Sequence, residues 1–476
     1  MQKQTKIVGT ISNLRLDRDF LSGLIRAGVN VLRLNTAHQS PQELAEAVDT
    51  IRAVDDRVAI LVDTKGPEIR VSSGGEPVEA TVGRPIHLKG DPEGLSGGDR
   101  LYVNLPGFGA RVPLGASILI DDGELELVVT AKDGETLTCF PQSDGLIKLR
   151  KSVNIPSVPF DLPSVSERDR EFIRVASEKG VEFIAHSFVR CAEDVLAVRR
   201  LVEQHGGVAR VIAKIENQEG VDHIDRILDH AYGVMVARGD LGIEIPEERV
   251  PAVQRMILQK CIESSKPVIV ATQMLHTMIE NPRPTRAEIS DVAGAIYGET
   301  DAVMLSGETA YGKYPEEAVG TMTRIASEVE RHLRPFRDHK LQRVDYVVTE
   351  TLARSTVGAS VHIKPRAIIV DTLTGRTARY VAAYRGRVPI FAMCYRRSVA
   401  RQLQLTYGVQ PYFMEMRSSR EEFLQYAVSL LLDEGQLQHR DMVMVIGGSF
   451  GPSEGATFLE ISQVSKILSS RVRHER

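Results

Sequence analysis

The chain has 476 residues, of which 42% are hydrophobic and 26% are charged. At about 100–200 residues per domain this length predicts two to four domains, and the composition excludes a disordered chain. The 59 Lys and Arg residues are balanced by 63 Asp and Glu residues, which gives a net charge of −4. Because no basic run stands out, we expect no nucleic-acid partner.

The cysteines and the apolar runs predict a cytoplasmic protein. The four cysteines are scattered and form neither a CxxC pair nor a dense framework, as is typical of free thiols in a reducing compartment. The N-terminus passes directly into a strand-like run that ends at Ile11, and no apolar stretch of about 18 residues occurs. We therefore expect neither secretion nor a membrane partner.

Short apolar runs alternate with segments of helical length over residues 5–70 and again over residues 181–308. The predicted strands are Ile7–Ile11, Asn30–Asn35, Ala59–Thr64, Val181–Ser187, Arg210–Ile215, Gly233–Ala237, Pro267–Thr272 and Ala302–Leu305. Eight strands in this alternation predict a (β/α)8 barrel. Nearly every run leads into polar residues, and the carboxyl ends of the strands are where such a barrel carries its active site.

Residues 71–154 interrupt this alternation. They hold 13 of the 38 glycines, and they contain short alternating stretches such as Leu125–Thr130 that are separated by Asp-Gly turns. This pattern predicts a small all-β insertion. Because an insertion at the carboxyl end of a barrel strand lies over the active site, we expect it to act as a lid.

The alternation of strands and helices resumes after residue 334. The predicted strands there are Ala367–Val370, Val388–Met393, Val409–Met414 and Met442–Ile446. They predict a separate α/β domain. The fold class is therefore α/β, with a TIM barrel in residues 1–70 and 155–334, the lid in residues 71–154, and a C-terminal α/β domain in residues 335–476.

Three charged residues at the predicted strand ends carry the most specific chemistry: Lys214, Glu216 and Asp240. Residues two apart on a strand share a face, so Lys214 and Glu216 project toward one centre. Glu216 and Asp240 follow adjacent strands and are the hard oxygen ligands that Mg²⁺ prefers. On these residues alone, an ion pair between Lys214 and Glu216 that closes the barrel mouth is the alternative.

Other strand ends supply groups for a phosphate and for a second cation. Arg33 and Arg70 can grip phosphate oxygens, and the bare backbone at Gly239 can offer an N–H group to an anion. The oxygen-bearing residues suited to a second cation are Asn35, Asp63 and Thr64. These residues together favour a site for a phosphate and a divalent cation.

Six motifs in order along the chain resemble the signatures of one family. They are Asp63-Thr-Lys-Gly-Pro-Glu-Ile-Arg70, Ile212-Ala-Lys-Ile-Glu-Asn217, Met235-Val-Ala-Arg-Gly-Asp-Leu-Gly242, Ala271-Thr-Gln-Met274, Pro282-Arg-Pro-Thr-Arg-Ala-Glu288 and Met304-Leu-Ser-Gly-Glu-Thr309. By these motifs the sequence is similar to pyruvate kinases over essentially its whole length. The resemblance implies a glycolytic phosphotransferase that moves the phosphoryl group of phosphoenolpyruvate to ADP and releases pyruvate and ATP.

The resemblance also implies roles for single residues. Glu216 and Asp240 would hold Mg²⁺ or Mn²⁺, and Lys214 would stabilise both the phosphoryl group in transfer and the enolate oxygen. Arg33 would hold the phosphate. The three-carbon acid would lie against Gly239, Asp240 and Thr272. The residues on the family's proton path to the methylene carbon are Thr272, Ser306 and Glu308, and no single one of them is identified as the acid.

The nucleotide is expected between the barrel and the lid. The residues that match the family's nucleotide contacts are Asn35, His38, Arg70 and Lys151. For His38 a surface histidine that caps a helix is the alternative.

The family's potassium site is altered in this chain. Asn35, Asp63 and Thr64 match its potassium ligands, but Ala37 replaces a serine whose hydroxyl completes the shell. Glu68 is the residue that potassium-dependent members carry where independent members carry lysine. We therefore expect potassium still to be used as a cofactor.

In the C-terminal domain, the segment Thr372–Thr377 opens a helix after a strand. Its candidate phosphate-binding residues are Thr372, Thr374, Arg376 and Thr377. Hydroxyls and helix N–H groups can cradle a phosphate, although a capped helix start explains the same residues. The resemblance favours a phosphorylated effector here, and it implies a homotetramer.

Two other functions remain open on the sequence. One is another metal-dependent barrel enzyme that acts on phosphoenolpyruvate or pyruvate, such as an aldolase, although such an enzyme has no reason for Lys151 and the lid. The other is a catalytically weak paralogue that serves as an effector-binding or structural protein. The presence of Lys214, Glu216 and Asp240 argues against that second alternative.

Overall fold

The computed structural model describes residues 3–156, 158, 160, 162–448 and 455–469. Its first elements are β1 (Lys6–Ile11), α1 (Arg18–Ala27), β2 (Val31–Asn35), α2 (Pro41–Val54) and β3 (Ala59–Asp63). The helix starts follow from the sequence, because the side chains of Asp17 and Ser40 accept hydrogen bonds from the first-turn amides. Ser40 and Glu43 also form a capping box, which fixes the point where the chain leaves β2 for α2.

The inserted lid is β-rich, as the glycine-punctuated pattern predicts. Its elements are β4 (Gly74–Gly75), β5 (Val78–Ala80), β6 (Ile86–Gly90), β7 (Leu95–Ser96), β8 (Arg100–Val103), α3 (Phe108–Arg111), β9 (Ser117–Ile120), β10 (Leu125–Asp133), β11 (Thr136–Pro141), β12 (Gly145–Ile147) and β13 (Val153–Asn154). Six of these strands form one sheet in the order β13-β9-β10-β11-β6-β8. The lid buries its own apolar cluster around Phe108, so its fold does not depend on the barrel core.

The chain then returns to strands and helices that complete the barrel. They are α4 (Glu167–Glu178), β14 (Phe183–His186), α5 (Ala192–Gln204), β15 (Arg210–Ile215), α6 (Gln218–Asp222), α7 (Ile224–His230), β16 (Gly233–Ala237), α8 (Arg238–Glu244), α9 (Val250–Glu263), β17 (Val268–Ala271), α10 (Arg286–Tyr297), β18 (Ala302–Leu305), α11 (Gly307–Ala310) and α12 (Pro315–Glu330). The eight parallel strands close in the order β1-β18-β17-β16-β15-β14-β3-β2. The predicted (β/α)8 barrel is confirmed, with strand ends that differ from the prediction by up to two residues.

The C-terminal domain is the predicted α/β unit with three additional elements. It contains α13 (Val347–Ile363), β19 (Ala367–Thr372), α14 (Arg376–Ala383), β20 (Ile390–Cys394), α15 (Arg397–Leu403), β21 (Val409–Phe413), α16 (Arg420–Asp433), β22 (Met442–Gly447), β23 (Phe458–Gln463) and α17 (Val464–Ser469). The sheet order is β21-β20-β19-β22-β23, and β23 runs antiparallel to β22. The sequence did not predict α13, β23 or α17.

The C-terminal domain is fixed to the barrel by buried polar contacts. Arg385 donates to both carboxylate oxygens of Asp301 at 3.2 and 2.9 Å, and both side chains are less than 5% exposed. The side chain of Gln4, just before β1, donates to the carbonyl oxygen of Arg387 at 2.6 Å. The backbone N–H of Gln4 donates to a carboxylate oxygen of Glu330 at 2.8 Å. Within the described ranges, no helix combines the length and the apolarity needed to cross a membrane.

Candidate active site

The carboxyl ends of the barrel strands bring two cations and two carboxylates into direct contact. The Lys214 ammonium lies 3.1 Å from an oxygen of Asp63 and 2.9 Å from an oxygen of Glu216. Arg33 Nε lies 2.6 Å from the second Asp63 oxygen. Asp63 and Glu216 are each 1% exposed. The Lys214–Glu216 ion pair, which the sequence offered as the alternative to a metal site, is therefore present, but it is part of a larger buried cluster.

Ser187 joins this cluster and was missed by the sequence analysis. Its hydroxyl accepts a hydrogen bond from Lys214 Nζ at 2.7 Å and donates to the Thr64 carbonyl oxygen at 2.7 Å. Its backbone N–H also donates to the Thr64 hydroxyl at 3.2 Å. The signal was available, because Ser187 is the first polar residue after the β14 run, as Asn35 is at the end of β2.

The backbone at two strand ends lies in the left-handed region. Phe188 has φ of 54° and Thr272 has φ of 69°, a conformation that side chains other than glycine rarely adopt. The unusual turn at Phe188 aims its backbone N–H at Glu216, with an N···O distance of 2.6 Å. Strain of this kind clusters at functional sites, where the surrounding structure holds it in place.

The two carboxyl groups of the cluster have pKa values shifted in opposite directions. Burial opposes the charge on Lys214, but Asp63 and Glu216 outweigh it and raise the pKa of the ammonium. Burial also opposes ionisation of Asp63, and Arg33 with Lys214 outweighs it and lowers the pKa of that carboxyl. For Glu216 burial prevails over Lys214 and raises the pKa to about 7. Lys214 is shared between two carboxylates, and Glu216 is therefore the undercompensated one.

Asp240 adds a third carboxylate on the first turn of α8. Burial is the main cause that raises its pKa, and Lys214 opposes the shift. The cluster thus holds two cations against three carboxylates, so one further positive charge would balance it. Among the described residues, no group of three or more His, Cys, Asp or Glu side chains is arranged to hold a metal ion. A cation between Glu216 and Asp240 would therefore take its remaining ligands from substrate and water, as Mg²⁺ commonly does.

Thr272 and Gly239 lie against each other beside Asp240. The Gly239 N–H donates to the Thr272 hydroxyl at 2.9 Å, and that hydroxyl donates to the Ala271 carbonyl oxygen at 2.7 Å. Arg238 holds the same turn by donating to the Thr272 carbonyl oxygen at 2.7 Å. A Cβ built at Gly239 would lie 3.6 Å from Thr272 Oγ1, an ordinary contact, so no neighbouring protein atom would clash with a side chain at this position. The open space in front of Gly239 is left for a ligand.

Glu308 is buried and serves the backbone. One carboxylate oxygen accepts a hydrogen bond from the Ser306 N–H at 2.8 Å, and the other accepts one from the Leu275 N–H at 3.1 Å. Glu308 is 2% exposed. Both oxygens are thus occupied by main-chain donors that fix the turns after β17 and β18.

The predicted nucleotide residues lie on the connection between the barrel and the lid. Arg70 donates to Glu68 at 2.7 Å and to the Arg150 carbonyl oxygen at 2.6 Å. Lys151 forms an ion pair with Asp121 at 2.7 Å and is 36% exposed in its side chain. The side chain of His38 lies outside the described part of the structure.

A cavity of about 400 Å³ separates the lid from the barrel mouth. Asp122 and Asn154 line it from the lid side, and Phe188 and Asp240 line it from the barrel side. The negative charge of Asp122 adds to the burial that raises the pKa of Asp240. The lid therefore lies close enough to the barrel carboxylates to influence their charge.

The three candidate potassium ligands lie close together but have protein partners. Asn35 is aligned with Asp63 in the β2–β3 register, and its side-chain oxygen accepts from the Ala37 N–H at 3.1 Å. Both Asp63 oxygens contact cations. The Thr64 hydroxyl lies 3.3 Å from His186 Nδ1.

The Thr372–Thr377 turn in the C-terminal domain is a preformed helix start. The Thr372 hydroxyl accepts from the Gly375 N–H at 2.9 Å, and Gly375 adopts a φ of 79° that favours glycine. The Arg376 guanidinium lies 3.9 Å from the ring centre of Tyr346. Thr377 is 5% exposed, whereas Thr374 is exposed. The structure thus shows a capped turn with Thr374 as its most open hydroxyl.

Comparison with known proteins defines the class to which this barrel and cluster belong. Residues 2–319 match the family described as "Pyruvate kinase, barrel domain", and residues 350–461 match "Pyruvate kinase, alpha/beta domain". The chain belongs to the pyruvate kinase family.

Individual relatives agree. The chain is 44% identical to the pyruvate kinase of Borreliella burgdorferi over 482 residues, which cover 99% of each protein. It is 41% identical to the pyruvate kinase of Geobacillus stearothermophilus over 481 residues, which cover 98% of this chain and 82% of that protein. The crystal structure of a pyruvate kinase from Cryptosporidium parvum superposes with a TM-score of 0.89 at 31% identity, covering 97% of this chain and 96% of that one.

Proposed function

We propose that the protein transfers the phosphoryl group of phosphoenolpyruvate to ADP and releases pyruvate and ATP. The observation that carries this proposal is the buried ammonium of Lys214, held among Asp63, Glu216 and Ser187 at the barrel mouth. Phosphoryl transfer needs positioning and charge neutralisation more than covalent help. A fixed cation in a water-poor site supplies both.

Lys214 and Arg33 have different roles in this proposal. The Arg33 guanidinium has one nitrogen on Asp63 and another on the Thr10 hydroxyl, at 3.0 Å, so its direction is fixed before substrate binds. We assign it to the phosphate of phosphoenolpyruvate. Lys214 is assigned to the charge that develops on the bridging and enolate oxygens during transfer.

The divalent cation fits Glu216 and Asp240. Their surplus negative charge and raised pKa values indicate that the pair is incomplete without a positive partner. When bound, Mg²⁺ or Mn²⁺ would neutralise the phosphoryl and enolate oxygens. Gly239 and Thr272 would hold the three-carbon acid beside that ion, with the Gly239 N–H fixing the Thr272 hydroxyl next to it.

We assign protonation of the methylene carbon to hydroxyl groups of the site and not to a carboxylate. Because both oxygens of Glu308 are occupied by backbone N–H groups, we give Glu308 a positioning role. Thr272 and Ser306 are then the hydroxyls on the proton path, with Thr272 beside the substrate.

The remaining assignments concern the lid, potassium and the second domain. We propose that Asn35, His38, Arg70 and Lys151 bind the nucleotide, with Lys151 exchanging Asp121 for a phosphate. Potassium would share Asp63 with Asn35 and Thr64. The Thr372–Thr377 turn would hold the phosphate of an effector. The domain boundaries given above, a homotetramer and a cytoplasmic location complete the proposal.

The test is a coupled measurement of pyruvate formation from phosphoenolpyruvate with ADP, Mg²⁺ and K⁺. We expect turnover that requires both ADP and the divalent cation. Pyruvate that forms at the same rate without ADP would indicate a different barrel enzyme. Binding of phosphoenolpyruvate without turnover would indicate the catalytically weak paralogue.

A further inference from the structure

A large cavity in the C-terminal domain lies away from the barrel mouth. It measures about 1030 Å³ and opens at the amino ends of β19, β20 and β22. Gln4 lines it from the barrel side. The Thr372–Thr377 turn follows the carboxyl end of β19, so the cavity and the turn occupy opposite ends of the same sheet.

The wall of this cavity is strongly basic. Its charged residues are Lys364, Arg366, Arg387, Arg440 and Asp441. The structure gives none of the four cations a carboxylate within 4.0 Å among the described residues, and Asp441 accepts a hydrogen bond from the Gln438 N–H at 2.8 Å. Four cations around one space repel one another unless an anion lies between them. Their concentration is notable in a chain whose net charge is −4.

Two of the cations are held in place by main-chain oxygens. Arg387 donates to the carbonyl oxygens of Arg331, at 3.1 Å, and Leu333. Arg366 Nε donates to the Gln436 carbonyl oxygen at 3.2 Å. Each guanidinium keeps further N–H groups for a ligand. A preformed site of this kind loses less conformational entropy on binding than one built from free side chains.

The rest of the lining is mixed, with polar side chains such as Ser360 and Gln436 beside apolar ones. Val361, Pro365, Val388, Phe391 and Met442 lie between the cations. A volume of roughly 300–1,000 Å³ with apolar walls and a few polar groups is typical of small-molecule sites. A long polyanion such as a nucleic acid would instead need an open basic stripe.

We propose that this cavity binds a small organic phosphate, with the phosphate among the four cations and a compact body on the apolar wall. Guanidinium groups match phosphate oxygens through paired hydrogen bonds, and the charge of a phosphate, about −1.5 to −2 at pH 7, offsets four cations better than the single charge of a carboxylate. Because Gln4 and Arg387 tie the barrel to the C-terminal domain at the edge of this cavity, a bound phosphate also stabilises the contact between the two domains.

The test is calorimetric titration of the full chain with inorganic phosphate and with ribose 5-phosphate at fixed ionic strength. Lys364→Gln combined with Arg440→Gln removes the two cations that lack a main-chain anchor in the described structure, and both positions are exposed, so folding is retained. We expect ribose 5-phosphate to bind at least roughly tenfold more weakly to this double variant, because two charge-assisted contacts are lost. Arg111→Gln removes an exposed arginine of the lid and serves as the matched control.

Three results would overturn the proposal. One is equal affinity of wild type and double variant for ribose 5-phosphate. Another is binding that is lost in Arg376→Gln and kept in the double variant, which would place the ligand in the Thr372–Thr377 turn. The third is a sedimentation coefficient that changes in the ligand-free double variant while affinity does not, which would make the cavity an interface between copies of the chain.

Discussion

Replacing Lys214 by Met removes the shared cation of the buried cluster without removing its bulk. Asp63 keeps Arg33 at 2.6 Å, but Glu216 keeps only the Phe188 N–H, also at 2.6 Å. Breaking a buried pair from one side costs about 3–5 kcal/mol of the free energy of unfolding. We also expect kcat to fall by at least ~10²-fold, because a charge aimed at the transition state is lost.

The measurements are pyruvate formation at saturating substrates and urea unfolding with and without Mg²⁺. The variant leaves one cation against three carboxylates, so Mg²⁺ should raise its free energy of unfolding more than that of the wild type. Lys260→Met, which removes a partly exposed lysine paired with Asp225, is the control and should cost less than about 1 kcal/mol. A Lys214→Met enzyme with kcat within threefold of wild type would refute the assignment of Lys214 to catalysis.

Four further outcomes are expected. Glu216→Gln should raise the Mg²⁺ concentration needed for half-maximal rate, and an unchanged requirement would exclude Glu216 as a ligand. Ala37→Ser should lower the half-saturating K⁺ concentration, measured with tetramethylammonium holding ionic strength constant; a flat K⁺ response in both proteins would mean that the ion is not used. Burial lowers the pKa of His186 to about 4, whereas the unfolded chain binds the proton below about pH 6.5. This difference should cost the wild type about 2 kcal/mol of its free energy of unfolding between pH 7.5 and pH 5. In His186→Gln that contribution should be absent, as measured by urea unfolding at the two pH values. Asp301→Asn should lower the free energy of unfolding by about 3–5 kcal/mol in the same assay, because Arg385 stays buried without a charged partner. Asp338→Asn, at the exposed pair with Arg354, is the control and should cost less than about 1 kcal/mol. Similar losses in the two variants would contradict this reasoning.

The barrel could be predicted from the sequence because each of its strands is an apolar run of four to six residues followed by polar residues. β23 could not, because its residues Phe458–Gln463 are half-buried or exposed at a sheet edge and carry little hydrophobic signal. Its pairing with β22 comes from tertiary contact and not from local preference.

The candidate site shows the same division. The pairing of Lys214 with Glu216 follows from their spacing on one strand. The contact of Lys214 with Asp63 could not be predicted, because the two residues lie 151 positions apart in the chain. It depends on how far the Lys214 ammonium reaches across the barrel mouth. Glu308 was placed on the proton path by resemblance, and its two backbone partners became visible only in the structure.

The position of β1 sets an order of events during synthesis. β1 pairs with β2 on one side and with β18 (Ala302–Leu305) on the other. About 300 residues must therefore leave the ribosome before the barrel can close, which takes roughly 15–60 s at about 5–20 residues per second. The lid, with its own core, can fold early in that interval, whereas an exposed edge of the first strands persists until β18 arrives. A nascent chain of this protein therefore presents an open sheet edge beside a folded lid until β18 pairs with β1.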